Sequence, residues 1–532
     1  MPLTSSPLPG HDHRPPAPGP ARARRRRTAP ALLASAVGVC LVAASAPAEP
    51  LGIGDPLFPH LGNPGYDVQA YDLTLTYPGA NDRPLDAVTT IDARITADLD
   101  RINLDFAHGT VHSVEVDGAP AAFTGAGEDL VITPGDDLDR GESVRITVRH
   151  TSDPRPGDRE GGWVRTADGL AMANQADAAH LVFPGNDHPS DKAMFTFRIT
   201  VPDGYTAVAN GLPTAVDRTT RATTTWTYRT RNPMATELAQ VSIGRSTVLH
   251  RAGPHDLPLR DVVPTGQRTA LEPWLAKTPA QIAWMEERVG RYPFATYGLL
   301  LAEASTGFAL ETQTLSLFER DLFTDPALPA WYVESIMVHE LAHQWFGDSV
   351  TPRTWSDLWL NEGHATWYEA LYAEERGGRS LEARMRAAYE SSDGWRAAGG
   401  PPAAPEPPDP GRKISIFRPG VYGGAALVLY ALRQEIGQAA FDRLEREWVF
   451  RHRDGNATTA DFVKLASEVA GRDLTGFLHP WLYAAETPPM PGHPDWRSAD
   501  RSVDTTPGPD TRELRYGHLP GPHGHRPDPE GE

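Results

Sequence analysis

The sequence predicts an α+β multidomain chain, with an all-β domain first and a mainly α-helical domain after it. Three observations lead there. From about Gly65 to Ser246 the apolar residues alternate with period two; after about Arg251 they recur with helical spacing; and 532 residues leave room for two or three domains.

The first 48 residues read as a signal peptide, not as folded protein. Arg22 to Arg27 is nearly all arginine, Ala31 to Ala44 is apolar, and small residues follow in "ASAPAEP". Cleavage is expected after Ala48, at Ala46-Pro47-Ala48. The apolar run falls short of the roughly 20 residues that a membrane span needs. Cys40, the one cysteine, lies in this leader, so the mature chain is expected to carry no disulfide. The formal charge is −19, and loss of the leader, with six arginines and one aspartate, makes it more negative. That balance argues against nucleic acid and anionic membrane as partners. A secreted, extracellular monomer without stable membrane association is the expectation.

The β-domain is assigned to residues 49–246. "YDLTLTY" alternates Tyr71, Leu73, Leu75 and Tyr77. "VRITV" alternates Val144, Ile146 and Val148, and "FTFRITV" alternates Phe195, Phe197, Ile199 and Val201. Turn residues separate such runs at Pro78-Gly79, Asp117-Gly118, Pro134-Gly135 and Asp203-Gly204. The second domain is assigned to residues 247–487. Helical patterns run over 268–290, 330–346, 357–376, 380–396, 423–436, 439–452 and 459–470, with one candidate strand at 297–304. "GGPPAAPEPPDPG" (399–411) reads as a surface loop. From Pro488 to Glu532 the chain is rich in Pro, Gly, Asp and His, and a disordered tail is expected.

The chemistry concentrates in "MVHELAHQWFGDS" (337–349). Pro329 suits the start of a helix there and Gly347 its end. His339 and His343, four apart, project from one side, which lets two imidazoles reach one zinc, with Glu340 placed to address a water. Alone, the motif also fits a pair of core or surface histidines. A catalytic zinc takes three protein ligands and leaves one position open. Glu362 stands on the next helix, "WSDLWLNEGHATWYEALYAEERGG", where a helical hairpin would bring it to the metal. Glu369, two turns on, suits a histidine N–H or a solvated helix face equally well. His364 faces elsewhere and reads as a packing or hydrogen-bonding histidine.

His339-Glu340-x-x-His343 with Glu362 inside "NEG" resembles the zinc aminopeptidases of family M1, gluzincins typified by aminopeptidase N and the leukotriene hydrolase. The resemblance covers almost all of residues 55–487. "FPGNDHPSDKAMFTFRITVP" (183–202) resembles a β-domain segment of the family, with Gly185 where many members have cysteine. "VYGGAALVLYALR" (421–433) resembles the tyrosine segment, with Gly424 where a basic residue is usual. "FALETQT" (308–314) resembles the exopeptidase segment; Ala309 and Glu311 match, while Phe308 and Thr312 depart from it.

The resemblance implies a saddle-like β-domain, a thermolysin-like zinc peptidase domain and one Zn2+. It implies His339, His343 and Glu362 as ligands and Glu340 as the general base. Tyr422 is implied as hydrogen-bond donor to the developing oxyanion, with Glu311 and Gln175 holding the free α-amine of a peptide substrate. A short, secreted bacterial form without the family's large C-terminal helical domain is expected. Two other readings stand beside it: an epoxide hydrolase like the leukotriene enzyme, and a catalytically weak or non-enzymatic peptide-binding scaffold. Retention of all three ligands and the base argues against the scaffold.

Overall fold

The computed structural model describes residues 49–157, 160–218, 222–304, 307–409 and 412–498. The expected signal peptide, with Cys40 and its cleavage site, lies outside them, as does the chain beyond Ser498.

The β-domain is organised by the strand Tyr66–Thr76, whose inward residues are Tyr66, Val68, Tyr71, Leu73 and Leu75. The spacing lengthens between Val68 and Tyr71 because a β-bulge interrupts the register there. This strand lies between Leu85–Ile95, antiparallel, and Met194–Pro202, parallel, in an eight-stranded sheet. Tyr71 stacks on Phe195 of the parallel neighbour, with ring centroids 4.8 Å apart. The period-two runs at Val144 and Phe195 belong to this same sheet.

Strand structure continues past the expected change to helices. Ser246–Ala252, Pro258–Pro264, Leu299–Ala302 and Ser316–Glu319 form a four-stranded sheet in that order. Its last three strands pair in parallel. Val262, Leu300 and Leu317 point into the core of the β-domain. Leu299, Leu301 and Phe318 point into the core of the helical domain. Burial on both faces removes the alternation that marks a half-exposed strand. That is why only the segment around Leu299 stood out, and the strand at Ser316 did not.

The helices follow: α1 (Arg268–Leu275), α2 (Thr278–Val289), α3 (Asp321–Thr324), α4 (Ala330–Ala342), α5 (Trp359–Glu375), α6 (Leu381–Gly399), α7 (Gly423–Ile436), α8 (Gln438–His452), α9 (Thr459–Ala470) and α10 (Thr475–Tyr483). The pattern over 268–290 is two helices, not one. Helix α4 begins after Pro329, as expected, but ends at Ala342. Beyond it Asp348, Ser349 and Val350 donate their N–H groups to the carbonyls of His343, Gln344 and Trp345, which folds the chain back before a further turn can form. No helix among the described residues is long and apolar enough to cross a membrane.

The tail also differs from expectation. Residues 488–498 pack against α6 and α7 instead of lying disordered. Tyr389 donates its hydroxyl to the Pro488 carbonyl at 3.1 Å. Trp496 lies parallel to Tyr430, with centroids 5.8 Å apart, and Met490 is buried beside the same core. Two isolated anchors give no periodicity, so composition alone mistakes this stretch for solvated chain.

A polar cluster is buried inside the β-domain. His180 Nδ1 lies 2.7 Å from Asp187 Oδ2, and the Asp187 N–H donates to Asp105 Oδ2 at 2.7 Å. Burial, only partly offset by the charge of His180, pushes the Asp105 carboxyl up to about 8. Burial likewise raises Asp191 to about 7. The folded chain keeps protons there that unfolded carboxylates, at roughly 3.9, have lost. This contribution to stability is full below about pH 4, declines as pH rises and is gone above about pH 8. The melting temperature should therefore fall between about pH 4 and about pH 8. Asp105→Asn should flatten that fall in scanning calorimetry; an unaltered slope would remove Asp105 from the account.

Candidate metal and substrate site

Helices α4 and α5 form the antiparallel hairpin that builds the site. His339 lies in the last turn of α4, His343 just beyond it, and Glu362 in the first turn of α5. Glu362 Oε2 stands 3.4 Å from His339 Nε2 and 3.4 Å from His343 Nε2. A tetrahedral zinc with bonds of about 2.1 Å has ligand-to-ligand edges of about 3.4 Å. The three residues are buried, and their ligand atoms lie within 4.8 Å of one another.

Both imidazoles are aimed by their other nitrogen. His339 Nδ1 lies 3.1 Å from Glu369 Oε2, and the other oxygen of Glu369 accepts from Arg384 at 2.7 Å. Glu369 is thus buried on the histidine, not solvated. His343 Nδ1 donates to Asn361 Oδ1, with the Phe346 carbonyl at 3.2 Å. With Nδ1 occupied in each ring, Nε2 is left for a metal.

Electrostatics point the same way. Burial alone would lower His339, but hydrogen bonds to Glu362 and Glu369 outweigh it and raise the imidazole to about 9. Burial would raise Glu362, yet the charge of His343 and the bonds from both histidines hold it at about 2. Burial pushes Glu340 up to about 8, against the pull of the two imidazoles. Its Oε2 has no hydrogen-bond partner in the pocket. A dication would reverse that upward shift by favouring the carboxylate. Two imidazoles and a carboxylate at tetrahedral spacing, amid surplus buried acid, fit one Zn2+.

Glu311 lies in the loop that folds back on the strand Ser316–Glu319, where Leu310 and Leu317 exchange backbone hydrogen bonds. Its Oε1 accepts from Gln175 Nε2 at 2.8 Å and from Asn361 Nδ2 at 3.0 Å. His343 Nδ1 is 3.9 Å from the same oxygen. Gln175, Glu311 and the metal ligands are therefore brought into one pocket from both domains. Tyr422 immediately precedes α7, buried, with its ring 6.2 Å from that of His339. Burial and the acids Glu362, Glu311 and Glu340 raise its phenol well above the usual range, so it stays a donor.

The departures from the family pattern have local outcomes. Thr312 turns its hydroxyl onto the Leu315 carbonyl inside its own loop. At Gly424 a Cβ would meet only ordinary contacts, the nearest at 3.7 Å, so the position is open to a side chain. His364 points away from the metal ligands: it stacks on Phe346 at 4.3 Å and bonds the Leu360 carbonyl. Asn361 was not singled out from the sequence. Its position beside Glu362 was the one available signal, and its double role exists only in space.

Two family models match the chain: the peptidase M1 N-terminal domain over residues 68–238 and the peptidase family M1 domain over residues 275–481. Aminopeptidase N of Streptomyces lividans is 25% identical over 442 residues, which are 79% of this chain and 50% of that protein. The chain spans between about a third and about half the length of the curated relatives it matches. Among solved structures, an M1 zinc metallopeptidase from Deinococcus radiodurans aligns with TM-score 0.70 and 28% identity, over 83% of this chain and 98% of that one. A mutant of that peptidase bound to a Tyr-Ser-Ala substrate aligns with TM-score 0.72 and 28% identity, over 83% and 99%. The N-terminal model falls on the β-rich domain and the peptidase model on the helical domain with its His-His-Glu site, and the chain belongs to peptidase family M1.

Proposed function

We propose that the protein is a zinc-dependent aminopeptidase that removes the N-terminal residue of peptides with a free α-amine. The observation that carries this reading is the buried Glu311 carboxylate, held by Gln175 and Asn361 beside the metal ligands. A fixed anion at that point recognises an α-ammonium by charge-assisted hydrogen bonds. Its closeness to the ligands suits a site that counts from the N-terminus. The Tyr-Ser-Ala substrate of the related mutant supports peptides as the substrate class. The arginine-rich leader supports export, and the acidic balance supports peptides rather than nucleic acid as partners.

Zinc, when bound by His339, His343 and Glu362, supplies Lewis acidity that polarises the scissile carbonyl and acidifies water. Glu340, with its unpartnered Oε2, takes the proton of the attacking water and delivers it to the leaving amine. Tyr422, kept protonated, donates to the oxyanion as it develops, an interaction that strengthens in the transition state. Glu311 and Gln175 orient the amine, so the carbonyl meets these groups in register.

Three measurements test this reading. Aminoacyl amides with a free amine should exceed their N-acetylated forms in kcat/KM by at least about tenfold, the scale of a lost charged hydrogen bond. Equal rates on both would sink the exopeptidase reading. Glu340→Gln should keep stoichiometric zinc and lose roughly 10²- to 10⁴-fold in kcat; near-normal turnover would remove Glu340 as the base. Asn361→Ala should weaken zinc about 10- to 100-fold in chelator competition, whereas Asn361→Asp, which keeps an oxygen for His343 Nδ1, should weaken it less. Identical zinc affinity in the alanine variant and the parent would refute the orienting role of Asn361.

A further inference from the structure

Before the β-domain begins, a short arm from Asp55 to Leu61 wedges between the elements that carry the site. Asp55 is 3% exposed and is a hub of four hydrogen bonds. Its Oδ1 accepts from the N–H groups of Leu57 at 2.8 Å and Phe58 at 3.1 Å, which fixes the arm's own turn. Its Oδ2 accepts from the Trp355 N–H at 2.9 Å and faces His188 Nε2 at 3.1 Å. The Ser190 N–H donates to His188 Nδ1, so the ring proton sits on Nε2 and points at Asp55. One carboxylate thus ties the arm to the β-domain through His188 and to the catalytic domain through Trp355.

Trp355 opens the short turn that feeds α5, and Phe58 meets its ring edge-on at 5.6 Å. That turn ends at Leu358, whose carbonyl accepts from the N–H groups of Asn361 at 3.0 Å and Glu362 at 3.1 Å. Leu57, Phe58 and Leu61 join a separate apolar cluster with Ala176, Trp355, Leu358 and Tyr422. The arm therefore packs beside the neighbour of Gln175, the lead-in to Glu362, and Tyr422 itself. Tyr422 stands at the entry to α7, where its carbonyl accepts from the Ala426 N–H at 2.8 Å, and its ring lies in the same cluster as the arm.

We propose that the arm Asp55–Leu61 is a positioning clamp that holds the Tyr422 loop against the start of α5, and that Asp55 locks it in place. In kinetic terms the proposal rests on the reading of Tyr422 as oxyanion donor. A loosened arm leaves zinc bound, because Asn361 and Glu362 keep their backbone bonds to Leu358 and both histidines stay on α4 and its end, but it lets the phenol drift from its working position.

The test is a double-mutant cycle with an alanyl anilide substrate. Asp55→Ala should lower kcat by about 10- to 100-fold, the usual scale for a misplacement of about 1 Å, with KM changed far less and zinc retained in chelator competition. In a Tyr422→Phe background the same substitution should cost less than about twofold, since the group it positions is gone. Equal losses in both backgrounds, or no loss in the first, would overturn the clamp. Asp55→Asn, which keeps one accepting oxygen, should fall between the parent and the alanine variant and guards against a fold that fails. Hydrogen exchange over residues 415–425 should quicken in Asp55→Ala with or without turnover. Unchanged protection there refutes the clamp, whereas a parent chain inactive on amines refutes only the aminopeptidase reading.

Discussion

More negative charge is buried around His339 and His343 than their protein neighbours neutralise. Glu311, Glu340, Glu362 and Glu369 are each at most 4% exposed. Arg384 answers Glu369, and the amides of Gln175 and Asn361 answer part of Glu311. Taking an ion out of water costs several kcal/mol unless it is paired. A dication at the point shared by two Nε2 atoms and Glu362 Oε2 meets much of that need. The same imbalance explains the care spent on the far side of each imidazole. A ring free to turn would present the wrong nitrogen, so each Nδ1 is held by an oxygen that is itself anchored.

That electrostatic arrangement depends on close packing of three helices. A Cβ on Gly363 of α5 would stand 2.7 Å from the Ala425 Cβ of α7, so glycine is what lets these two helices approach. Their approach brings Tyr422, at the start of α7, towards the pocket that Glu362 enters. Gly347 solves a second conflict. Its φ of 121° suits glycine, and a Cβ there would come within 2.1 Å of Asn361 Oδ1. A side chain at Gly347 would displace the oxygen that aims His343. Both glycines therefore shape the site without lending a side chain to it.

Much of this was legible in the sequence, for identifiable reasons. The helices α4, α5, α7 and α9 announce themselves by apolar spacing, and the ligands ride on them at fixed intervals. The long strands of the β-domain expose one side chain in two to a wetter face, which writes period two into the sequence. The parallel strands Leu299–Ala302 and Ser316–Glu319 are buried on both faces, so their pairing leaves no local trace. Asn361, Arg384 and Asp55 were overlooked for a different reason. Each acts through a partner 15 to 300 residues away, and no spacing rule connects Asp55 to Trp355. Trp496 was lost because one buried ring cannot outweigh a polar stretch read by composition.

The β-domain is built into the site and is not an appendage. Gln175 comes from it, and so do the groups that hold the catalytic loops. Lys192 Nζ donates to the Asp348 carbonyl at 2.7 Å and the Ser349 carbonyl at 3.1 Å, in the turn that follows His343. Asn210 Nδ2 donates to the Gln313 carbonyl at 2.6 Å, and the Gly211 N–H donates to Thr314 Oγ1 at 2.9 Å, two and three residues beyond Glu311. These contacts are polar and directional, so they set position where a purely apolar seam would allow sliding. The distance from Glu311 to the metal ligands is thus fixed jointly by the two domains. A helical domain alone would keep His339, His343 and Glu362 on α4, its end and α5. It would lose the contacts that hold the Glu311 loop beside them.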